Sequence, residues 1–338
     1  MRVMVTGGTG FIGSHTVRAL HAAGHELRLL VRDPKKVNRV YAGDAFVPRD
    51  LVVGDAADAG AVADAMAGCD AVLHAAALVD LRRKAARRVL ETNAAAVESV
   101  VAGALKRGIP RIVYVSSMSI FFAPGAPALT PESEIVPGTT AYGQSKVEAE
   151  RVVRRLQEAG APIAISYPSG VVGPDDPSMT DANRALWAWI AQLSIDTEGG
   201  FQPVDVRDVA ALHVRLLELA PGLHRYAAAG PMLPWAENYA VIERVTGRRM
   251  RLRAPIPGPL LRGFGRVGDA VKRAVDFAFP LTSDAMEYAT RWPGVDATRT
   301  TRELGLRFRS ADETYADAIR WMARAGLISR RLAGKLAG

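Results

Sequence analysis

The segment that most constrains the fold is a glycine-rich turn near the amino terminus. Residues 2–6 form a short apolar run that ends at Gly7, and two more glycines follow at intervals of three. Apolar side chains then recur at helical spacing over residues 11–20, and a second apolar run covers residues 26–31. We therefore predict a strand, a tight turn, a helix and a parallel strand, which form one right-handed βαβ unit.

The alternation of short apolar runs with helical stretches continues as far as Pro168. The further predicted strands are residues 51–53, 71–77, 111–115 and 163–167, with helices over about 91–107 and 142–159. Strands that are brief and continuously apolar are typical of strands buried on both faces. The pattern predicts an α/β fold, a doubly wound parallel Rossmann sheet with a smaller, mostly C-terminal α/β lobe.

Composition excludes several classes of protein. The chain has 338 residues, of which 49% are hydrophobic and 23% charged, so it can build a large core and is not disordered. Its one cysteine, Cys69, excludes a disulfide framework and a cysteine-based zinc site. His21 and His25 are separated by the helix-ending Gly24, so we predict no metal site. Without a signal peptide or an apolar run of about 18 residues, we expect a cytoplasmic protein that does not span a membrane.

The positive charge is concentrated toward the C-terminus. Residues 244–338 hold 19 bases and 9 acids, whereas the rest of the chain holds 24 bases and 26 acids. These bases are scattered, without a zinc finger, an aromatic-basic RNA motif or a dense basic run. We interpret them mostly as solvated surface and expect no nucleic-acid partner.

The spacing of the glycine turn points to a ligand. Glycines at positions 7, 10 and 13 allow positive φ and close approach of a pyrophosphate, and the next helix offers free N–H groups. We predict a dinucleotide site, the alternative being a tight turn without a ligand. The second strand ends in Arg32-Asp33-Pro34, with Lys36 and Arg39 following, so a guanidinium stands where a 2′-phosphate would lie. This favours NADP over NAD, although Asp33 could face the ribose and a solvated basic loop is the alternative.

A phenol and an ammonium stand four residues apart in Tyr142-Gly143-Gln144-Ser145-Lys146, on one face of a predicted helix. Lowering a tyrosine pKa by about three units from its usual value near 10 requires roughly 4 kcal/mol. A lysine within about 4 Å at an effective dielectric near 20 supplies about that much, while burial acts in the opposite direction. The pair is predicted to be an acid/base at neutral pH.

Taken together, these motifs resemble the extended short-chain dehydrogenase/reductase family. The features that carry the resemblance occur in the family's order: TGGTGFIG, Asp55 after the third strand, HAAA at His74, Asn93 in ETNAAAV, VSS ending at Ser117, and YGQSK. The match covers essentially the whole chain. The VRDP turn with Arg39 and the YPSGVVGP segment look most like the dihydroflavonol reductase and 3β-hydroxysteroid dehydrogenase branch.

The resemblance implies a role for each matching residue. Tyr142 would exchange the proton, Lys146 would depress its pKa and hold the nicotinamide ribose, and Ser117 would bond the reacting oxygen. The implied cofactor contacts are Gly7, Thr9, Gly10, Phe11, Ile12, Gly13, Arg32, Lys36, Arg39, Asp55, Ala56, Ala75, Ala76, Ala77, Asn93, Tyr142, Lys146, Pro168 and Val171. Among these, Asn93 is interpreted mainly as structural, bracing the fourth and fifth strands.

Three segments depart from the family pattern. Met118 and Ser119 replace an Asp-Glu pair that dehydratases of the family carry, so dehydratase chemistry is disfavoured. Phe121 and Phe122 replace a usual Tyr-Gly and, with Met118, are predicted substrate contacts, the alternative for the two phenylalanines being core packing. Arg207 replaces a frequently acidic residue, which leaves the contacts there in doubt.

The chain after Pro168 supplies the predicted substrate lobe. We assign residues 1–170, 201–229 and 296–325 to the Rossmann domain and residues 171–200 and 230–295 to the lobe, with a basic strand at 250–253. A helical stripe in the lobe consists of Leu260, Phe264, Val267, Val271, Ala274, Val275 and Ala278. We interpret the stripe as core, the alternative being an amphipathic patch on anionic lipid.

The sequence predicts an NADP(H)-dependent oxidoreductase that reduces a carbonyl or oxidises an alcohol on a small, moderately apolar substrate. One alternative is a nucleotide-sugar 4-epimerase with tightly bound NAD. Another is a non-catalytic dinucleotide-sensing protein, which would typically lack the Tyr/Lys pair. We expect a monomer or a homodimer.

Overall fold

The computed structural model describes residues 1–79, 85–138, 140–192, 194–250, 253–274 and 282–337. The strands, in chain order, are β1 (Arg2–Thr6), β2 (Glu26–Val31), β3 (Asp50–Val53), β4 (Ala71–His74), β5 (Arg111–Val115), β6 (Ile163–Pro168), β7 (Gly170–Val172), β8 (Ser194–Asp196), β9 (Gly200–Phe201), β10 (Pro203–Asp205), β11 (His224–Ala228), β12 (Leu233–Pro234) and β13 (Arg253–Pro255). The central sheet has seven parallel strands in the order β3-β2-β1-β4-β5-β6-β11. This confirms the doubly wound Rossmann sheet.

Helices cover both faces of this sheet. In chain order they are α1 (Phe11–Ala22), α2 (Pro34–Val40), α3 (Ala59–Met66), α4 (Ala86–Val97), α5 (Gly103–Lys106), α6 (Ala141–Glu158), α7 (Asp181–Ala191), α8 (Val206–Glu218), α9 (Trp235–Thr246), α10 (Gly258–Ala274), α11 (Ser283–Arg291), α12 (Thr298–Leu304), α13 (Ala311–Arg324) and α14 (Arg330–Ala333). A π-helical turn, Glu98–Ala102, links α4 to α5, and a 3₁₀ turn, Met118–Phe121, follows β5. None of the described helices has the length and hydropathy needed to cross a bilayer.

Each face of the sheet has its own apolar core. One core packs α1 and α8 against the strands through residues such as Val17 and Leu212, and the other packs α4 and α6 through residues such as Val97 and Val153. A buried histidine, His213, ties the first layer together, because its ring nitrogens lie 2.8 Å from Thr16 Oγ1 and 2.8 Å from Ser166 Oγ. A third core joins α9 and α13.

The strand order reverses between β1 and β4, so their carboxyl ends border a crevice. In open α/β sheets ligands bind at this switch point. The predicted site segments all follow strands that end on this edge: the glycine turn after β1, Arg32 after β2, Asp55 after β3, Ala75 after β4 and Ser117 after β5. The topology therefore gathers the predicted site residues along one edge of the sheet.

The structure corrects several predicted element bounds. The fourth strand ends at His74 rather than at residue 77, and the helix predicted over 91–107 begins at Ala86 and contains the π-helical turn. The strand predicted over 250–253 is instead β13, which pairs with β8, and residues 251–252 lie outside the described residues. The predicted division into a Rossmann domain and a substrate lobe remains a prediction.

The helical stripe in α10 is not part of the core. Leu260, Phe264, Val267 and Val271 are between 46% and 60% exposed, so their predicted core packing is wrong. Leu261 of α10 is buried instead, and α10 packs on α11 at Gly265, where a Cβ would lie 2.9 Å from Met286 Cγ. Close helix packing through small residues leaves the larger side chains outside. Val275 and Ala278 lie outside the described residues.

Candidate active site

The glycine turn between β1 and α1 forms a cradle of backbone atoms. Gly7 has φ +74°, and a Cβ there would lie 2.6 Å from Ala76 N. A Cβ on Gly13 would lie 2.1 Å from Gly7 O, so only glycine lets α1 pack this closely on the turn. The residue before α1, Gly10, has no side chain to cap the helix. The first N–H groups of α1 are therefore available to an anion, which fits a dinucleotide pyrophosphate.

The side chains around this turn differ in exposure. Phe11 is buried and packs edge-on against His15, with ring centroids 5.6 Å apart. Thr9 and Ile12 are half-buried, and Tyr41 fixes the turn from behind by donating from its hydroxyl to Gly8 O at 2.6 Å. The turn thus presents backbone and small side chains toward the crevice.

The basic segment after β2 meets the residue after β3. Arg32 is exposed, and its Nη1 lies 3.8 Å from Asp55 Oδ2. The carboxylate of Asp33 caps α2 by accepting from Lys35 N at 2.9 Å, and it also accepts from Arg39 Nη2 at 3.4 Å. The structure therefore brings Arg32 and Asp55 together, whereas Asp33 is engaged by its own helix.

Small residues after β4 line the crevice opposite the glycine turn. Ala75 and Ala76 lie against Gly7, and Ala76 N donates to Thr6 Oγ1 at 3.3 Å. Ala77 is exposed, and Ala56, after β3, is half-buried. These side chains leave the edge of the sheet open to a flat ligand.

Asn93 is buried and uses its amide on protein groups. Its Oδ1 accepts from Leu78 N at 2.7 Å, and its Nδ2 donates to Leu78 O at 3.1 Å and to Ser145 Oγ at 2.9 Å. The prediction that Asn93 braces the fourth and fifth strands is wrong, because its partners are Leu78 and Ser145. Asn93 links the loop after β4 to α6, because it lies on α4, which packs beside α6.

Ser117 lies at the start of the turn that follows β5. Its Oγ accepts from Ser119 N at 3.2 Å and shares a hydrogen bond with Ser119 Oγ at 2.9 Å. Extended backbone at Ser117, with φ −157°, places this hydroxyl as the cap of the 3₁₀ turn. The side chain is half-buried, so it is accessible from the crevice.

Tyr142 and Lys146 project from the first two turns of α6. Thr140 begins this helix by accepting from Gly143 N at 3.0 Å. Lys146 is buried, and its Nζ donates to Val115 O at 3.1 Å, two residues before Ser117. Since residues four apart share a helix face, the bond from Lys146 sets the Tyr142 side of α6 against the end of β5.

Burial dominates the protonation equilibria of this pair. It raises the pKa of Tyr142 to about 12, and the negative charge of Asp181 at the start of α7 adds to the shift. Burial lowers the pKa of Lys146 to about 8, against the opposing charge of Glu150. The pKa of Tyr142 is therefore shifted in the direction opposite to the predicted one, because burial disfavours the phenolate and the charge of Asp181 adds to this effect.

Of the three predicted substrate residues, two are buried in the core and one is half-buried. Met118 is 0% exposed and Phe121 1%, and Phe121 packs on Tyr167 with ring centroids 5.3 Å apart. Neither side chain reaches the crevice, because both point into the core between the sheet and α6. Phe122 is half-buried and packs at the margin of the same core.

Phe122 belongs to an aromatic cluster that the sequence did not reveal. Its ring stacks on Tyr288 of α11 at 4.3 Å, and Trp292 lies 5.6 Å from Phe122 and 5.5 Å from Tyr288. The Tyr288 hydroxyl donates to Ser119 O at 3.1 Å. Burial raises the pKa of Tyr288, and the nearby charge of an ionised Tyr142 would raise it further. The cluster thus contacts Ser119, whose hydroxyl bonds that of Ser117, and it lies near Tyr142.

Two other predicted cofactor positions lie on strands. Pro168 is buried at the end of β6, and Val171 of β7 pairs with Val204 of β10. Arg207 donates to both carboxylate oxygens of Asp205, and its Nη2 lies 2.8 Å from Asp317 of α13. Arg207 therefore ties the start of α8 to α13. Among the residues that the structure describes, no three His, Cys, Asp or Glu side chains gather as a metal site.

Comparison with known proteins agrees with this geometry. The NAD dependent epimerase/dehydratase family matches residues 3–227. A putative dihydroflavonol 4-reductase of Synechocystis sp. is 30% identical, with 96% of this chain and 95% of the relative aligned. Sterol demethylase protein B of Methylococcus capsulatus is 29% identical, with 97% and 100% aligned.

A solved structure shares the fold. The UDP-glucose-4-epimerase of Stenotrophomonas maltophila, with bound NAD, superposes with a TM-score of 0.76 at 21% identity, covering 97% of this chain and 100% of that one. Together with the match over residues 3–227 and the full-length reductase relative, the resemblance noted in the sequence is confirmed. The chain belongs to the NAD-dependent epimerase/dehydratase family, the extended short-chain dehydrogenase/reductases.

Proposed function

We propose that this protein is an NADP(H)-dependent reductase or dehydrogenase that interconverts a carbonyl and an alcohol on a small, moderately apolar molecule. The observation that carries the proposal is the position of the Tyr142/Lys146 face of α6 at the end of β5, next to Ser117. The uncapped start of α1 would hold the pyrophosphate, and Ala75–Ala77, Pro168 and Val171 would border the nicotinamide. When bound, the dinucleotide supplies or accepts the hydride.

Tyr142 is suited to give a proton in the direction of reduction. A phenol with a pKa of about 12 is neutral at pH 7, which is the form that can donate. An alkoxide formed on the substrate is a far stronger base than phenolate, so transfer from the Tyr142 hydroxyl is downhill. The Ser117 hydroxyl would donate a hydrogen bond to the same substrate oxygen.

Lys146 would support this transfer as a cation. Its ammonium is held by Val115 O, and Glu150 favours the charged form, so with a pKa of about 8 it is largely protonated at pH 7. A positive charge on the Tyr142 face of α6 stabilises the phenolate that proton donation leaves behind. We propose that Lys146 also holds the nicotinamide ribose.

The cofactor preference rests on the segment after β2. Arg32 is exposed and, among the described residues, makes one long contact, 3.8 Å to Asp55, so its planar guanidinium can bind a 2′-phosphate, with Lys36 and Arg39 adding positive charge. The nearest acid that could hold a 2′-hydroxyl, Asp33, already caps α2. These contacts favour NADP over NAD.

The substrate class follows from the aromatic cluster. Phe122, Tyr288 and Trp292 form a flat apolar wall beside Tyr142, which suits a ring-containing substrate. Two full-length relatives carry names that refer to a flavonol and a sterol, both ring compounds. We propose that the substrate is a cyclic ketone or secondary alcohol.

Steady-state kinetics test the proposal. NADPH oxidation is followed with a panel of flavonoid, steroid and simple cyclic ketones, and we expect turnover with at least one of them and a lower KM for NADPH than for NADH. Tyr142→Phe should reduce kcat by about 10²- to 10⁴-fold, because the proton donor is lost. Ser145→Ala, on the same helix, serves as the control for general damage to α6.

Three results would contradict the proposal. Unchanged turnover in Tyr142→Phe would remove the catalytic assignment. Release of tightly retained NAD on denaturation, together with interconversion of UDP-sugars and no net cofactor turnover, would indicate a 4-epimerase. Binding of NADPH without turnover of any ketone or alcohol in the panel would leave a dinucleotide-sensing protein.

A further inference from the structure

The exposed face of α10 is an apolar surface on a helix of 17 residues. The exposed fractions are 53% for Leu260, 46% for Phe264, 60% for Val267 and 46% for Val271. These positions follow a spacing of three or four residues, so the four side chains form one continuous stripe along the helix. We call this stripe the α10 face.

Two of the polar residues of α10 point the other way. Arg262 donates from Nη1 to Thr290 Oγ1 at 3.0 Å, and Asp269 Oδ2 accepts from Ser283 N at 3.2 Å. Both contacts hold α10 on α11. The helix therefore buries its polar contacts and exposes its apolar side, the reverse of the arrangement usual for a surface helix.

The segment that leads into α10 continues the apolar surface. Pro255, Pro257 and Pro259 are exposed, and proline has no N–H to leave unsatisfied. The intervening N–H groups are bonded internally, from Ile256 to Asp196 O at 2.9 Å and from Gly258 to Glu198 Oε2 at 2.7 Å. A backbone whose donors are already satisfied can rest against an apolar phase at little cost.

The charge of α10 is positive, since its sequence holds four bases and one acid. Arg266 is exposed beside the stripe. The acid of this helix, Asp269, is turned toward α11. An apolar stripe with cationic flanks matches the interface of an anionic bilayer, in which acyl chains lie beneath negative headgroups.

We propose that the α10 face docks this protein on the surface of an anionic membrane. A second copy of the chain is a poorer occupant, because a two-fold interface sets the same patch against itself and would bring the basic flanks together. Docking would also orient the aromatic cluster, since α10 packs on α11, which carries Tyr288. A membrane-dissolved ring compound would then reach the protein beside this cluster.

Vesicle flotation of the full-length protein tests the proposal without reference to catalysis. We expect binding to vesicles of phosphatidylglycerol and phosphatidylcholine, much weaker binding to pure phosphatidylcholine, and release by salt. Phe264→Glu/Val267→Glu should lower the vesicle partition coefficient by at least about thirtyfold, because it removes two apolar anchors and adds two like charges. Phe264→Trp should show a blue-shifted emission when anionic vesicles are added.

A matched control uses leucines exposed away from α10. Leu223 is 52% and Leu327 38% exposed, and Leu223→Glu/Leu327→Glu should bind vesicles as the parent protein does. Thermal unfolding verifies that both double variants are folded. Absence of binding by the parent protein, or equal binding by the Phe264→Glu/Val267→Glu variant, would overturn the proposal. So would a dimer, seen by light scattering, that this variant converts to monomer.

Discussion

The glycine turn and the aromatic cluster are built in opposite ways. The turn uses eight consecutive residues, Thr6 to Gly13, and its shape depends on backbone atoms that a single Cβ would obstruct. The cluster uses side chains from two distant segments, Phe122 on one and Tyr288 and Trp292 on the other. One region is local and intolerant of added atoms, and the other is assembled only by folding.

Under the proposed function, this difference would separate cofactor binding from substrate binding. Changes to the turn act on backbone N–H groups, which every dinucleotide would need, so their effects should be large and confined to the cofactor. Changes to the cluster remove one of several ring contacts that can replace one another. Their effects should therefore be small and confined to substrate binding. Variants of the two regions test this separation, and the pH profile of the reaction tests the proposed proton donor between them.

Gly13→Ala should have the largest effect. The new Cβ would lie 2.1 Å from Gly7 O, so α1 must move away from the turn, at a cost of about 1–3 kcal/mol in stability. We expect NADPH affinity, measured by calorimetry, to fall by at least about a hundredfold, because a displacement of about 1 Å can cost that much.

The matched control is Gly263→Ala, the same substitution in another helix. A Cβ at Gly263 meets no heavy atom within 4 Å, so this change should raise stability by up to about 1 kcal/mol and leave NADPH affinity unchanged. Equal NADPH affinities in the two variants would show that the turn is not the cofactor cradle.

The pH dependence of ketone reduction should show an intermediate effect. The pKa of Lys146 is lowered to about 8, so its ammonium is present below this pH and is lost as pH rises through it. The pKa of Tyr142, about 12, keeps the phenol protonated throughout this range. We expect kcat to fall by about tenfold between pH 7 and 9, in line with loss of a proton at apparent pKa about 8.

Lys146→Arg isolates the source of this decline. Arginine stays charged, so whatever activity this variant retains should be flat between pH 7 and 9. An alkaline decline that persists with the same apparent pKa in Lys146→Arg would assign it to another group.

A pair of tyrosine variants should give the smallest effects and test most directly whether the two regions act separately. Tyr288→Phe loses the hydrogen bond to Ser119 O, and Tyr41→Phe loses the bond to Gly8 O behind the glycine turn. A hydrogen bond contributes about 1 kcal/mol, so we expect about a fivefold rise in KM in each case. Tyr288→Phe should raise the KM of the ketone and Tyr41→Phe that of NADPH. The same KM rising in both variants would mean that the two regions are not separate.

Much of the nucleotide-binding half could be predicted from the sequence. The turn was found because glycine spacing, apolar strands and a helical repeat are local signals, and parallel strands necessarily end on the same edge of the sheet. The shared helix face of Tyr142 and Lys146 followed from their spacing, whereas Ser117 came from the family resemblance.

Other features needed the packed structure. Sequence alone could not separate buried Phe121 from half-buried Phe122, because neighbouring residues in a short 3₁₀ turn point to different sides. Tyr288 carried no signal, since its role depends on α11 reaching Ser119 across 169 positions of chain. The pKa of Tyr142 rose rather than fell, because desolvation depends on everything that surrounds the phenol.

Short-range patterns of residue type were enough to predict the order of the elements, the glycine turn and the family. The tertiary structure decided which of two similar apolar stripes is covered. In α8, Val209, Leu212 and Leu216 are buried against the sheet, whereas the α10 face has no described neighbour covering it. Periodicity defines a helix face, but burial of that face is a property of what packs against it, and that is settled only when distant segments meet.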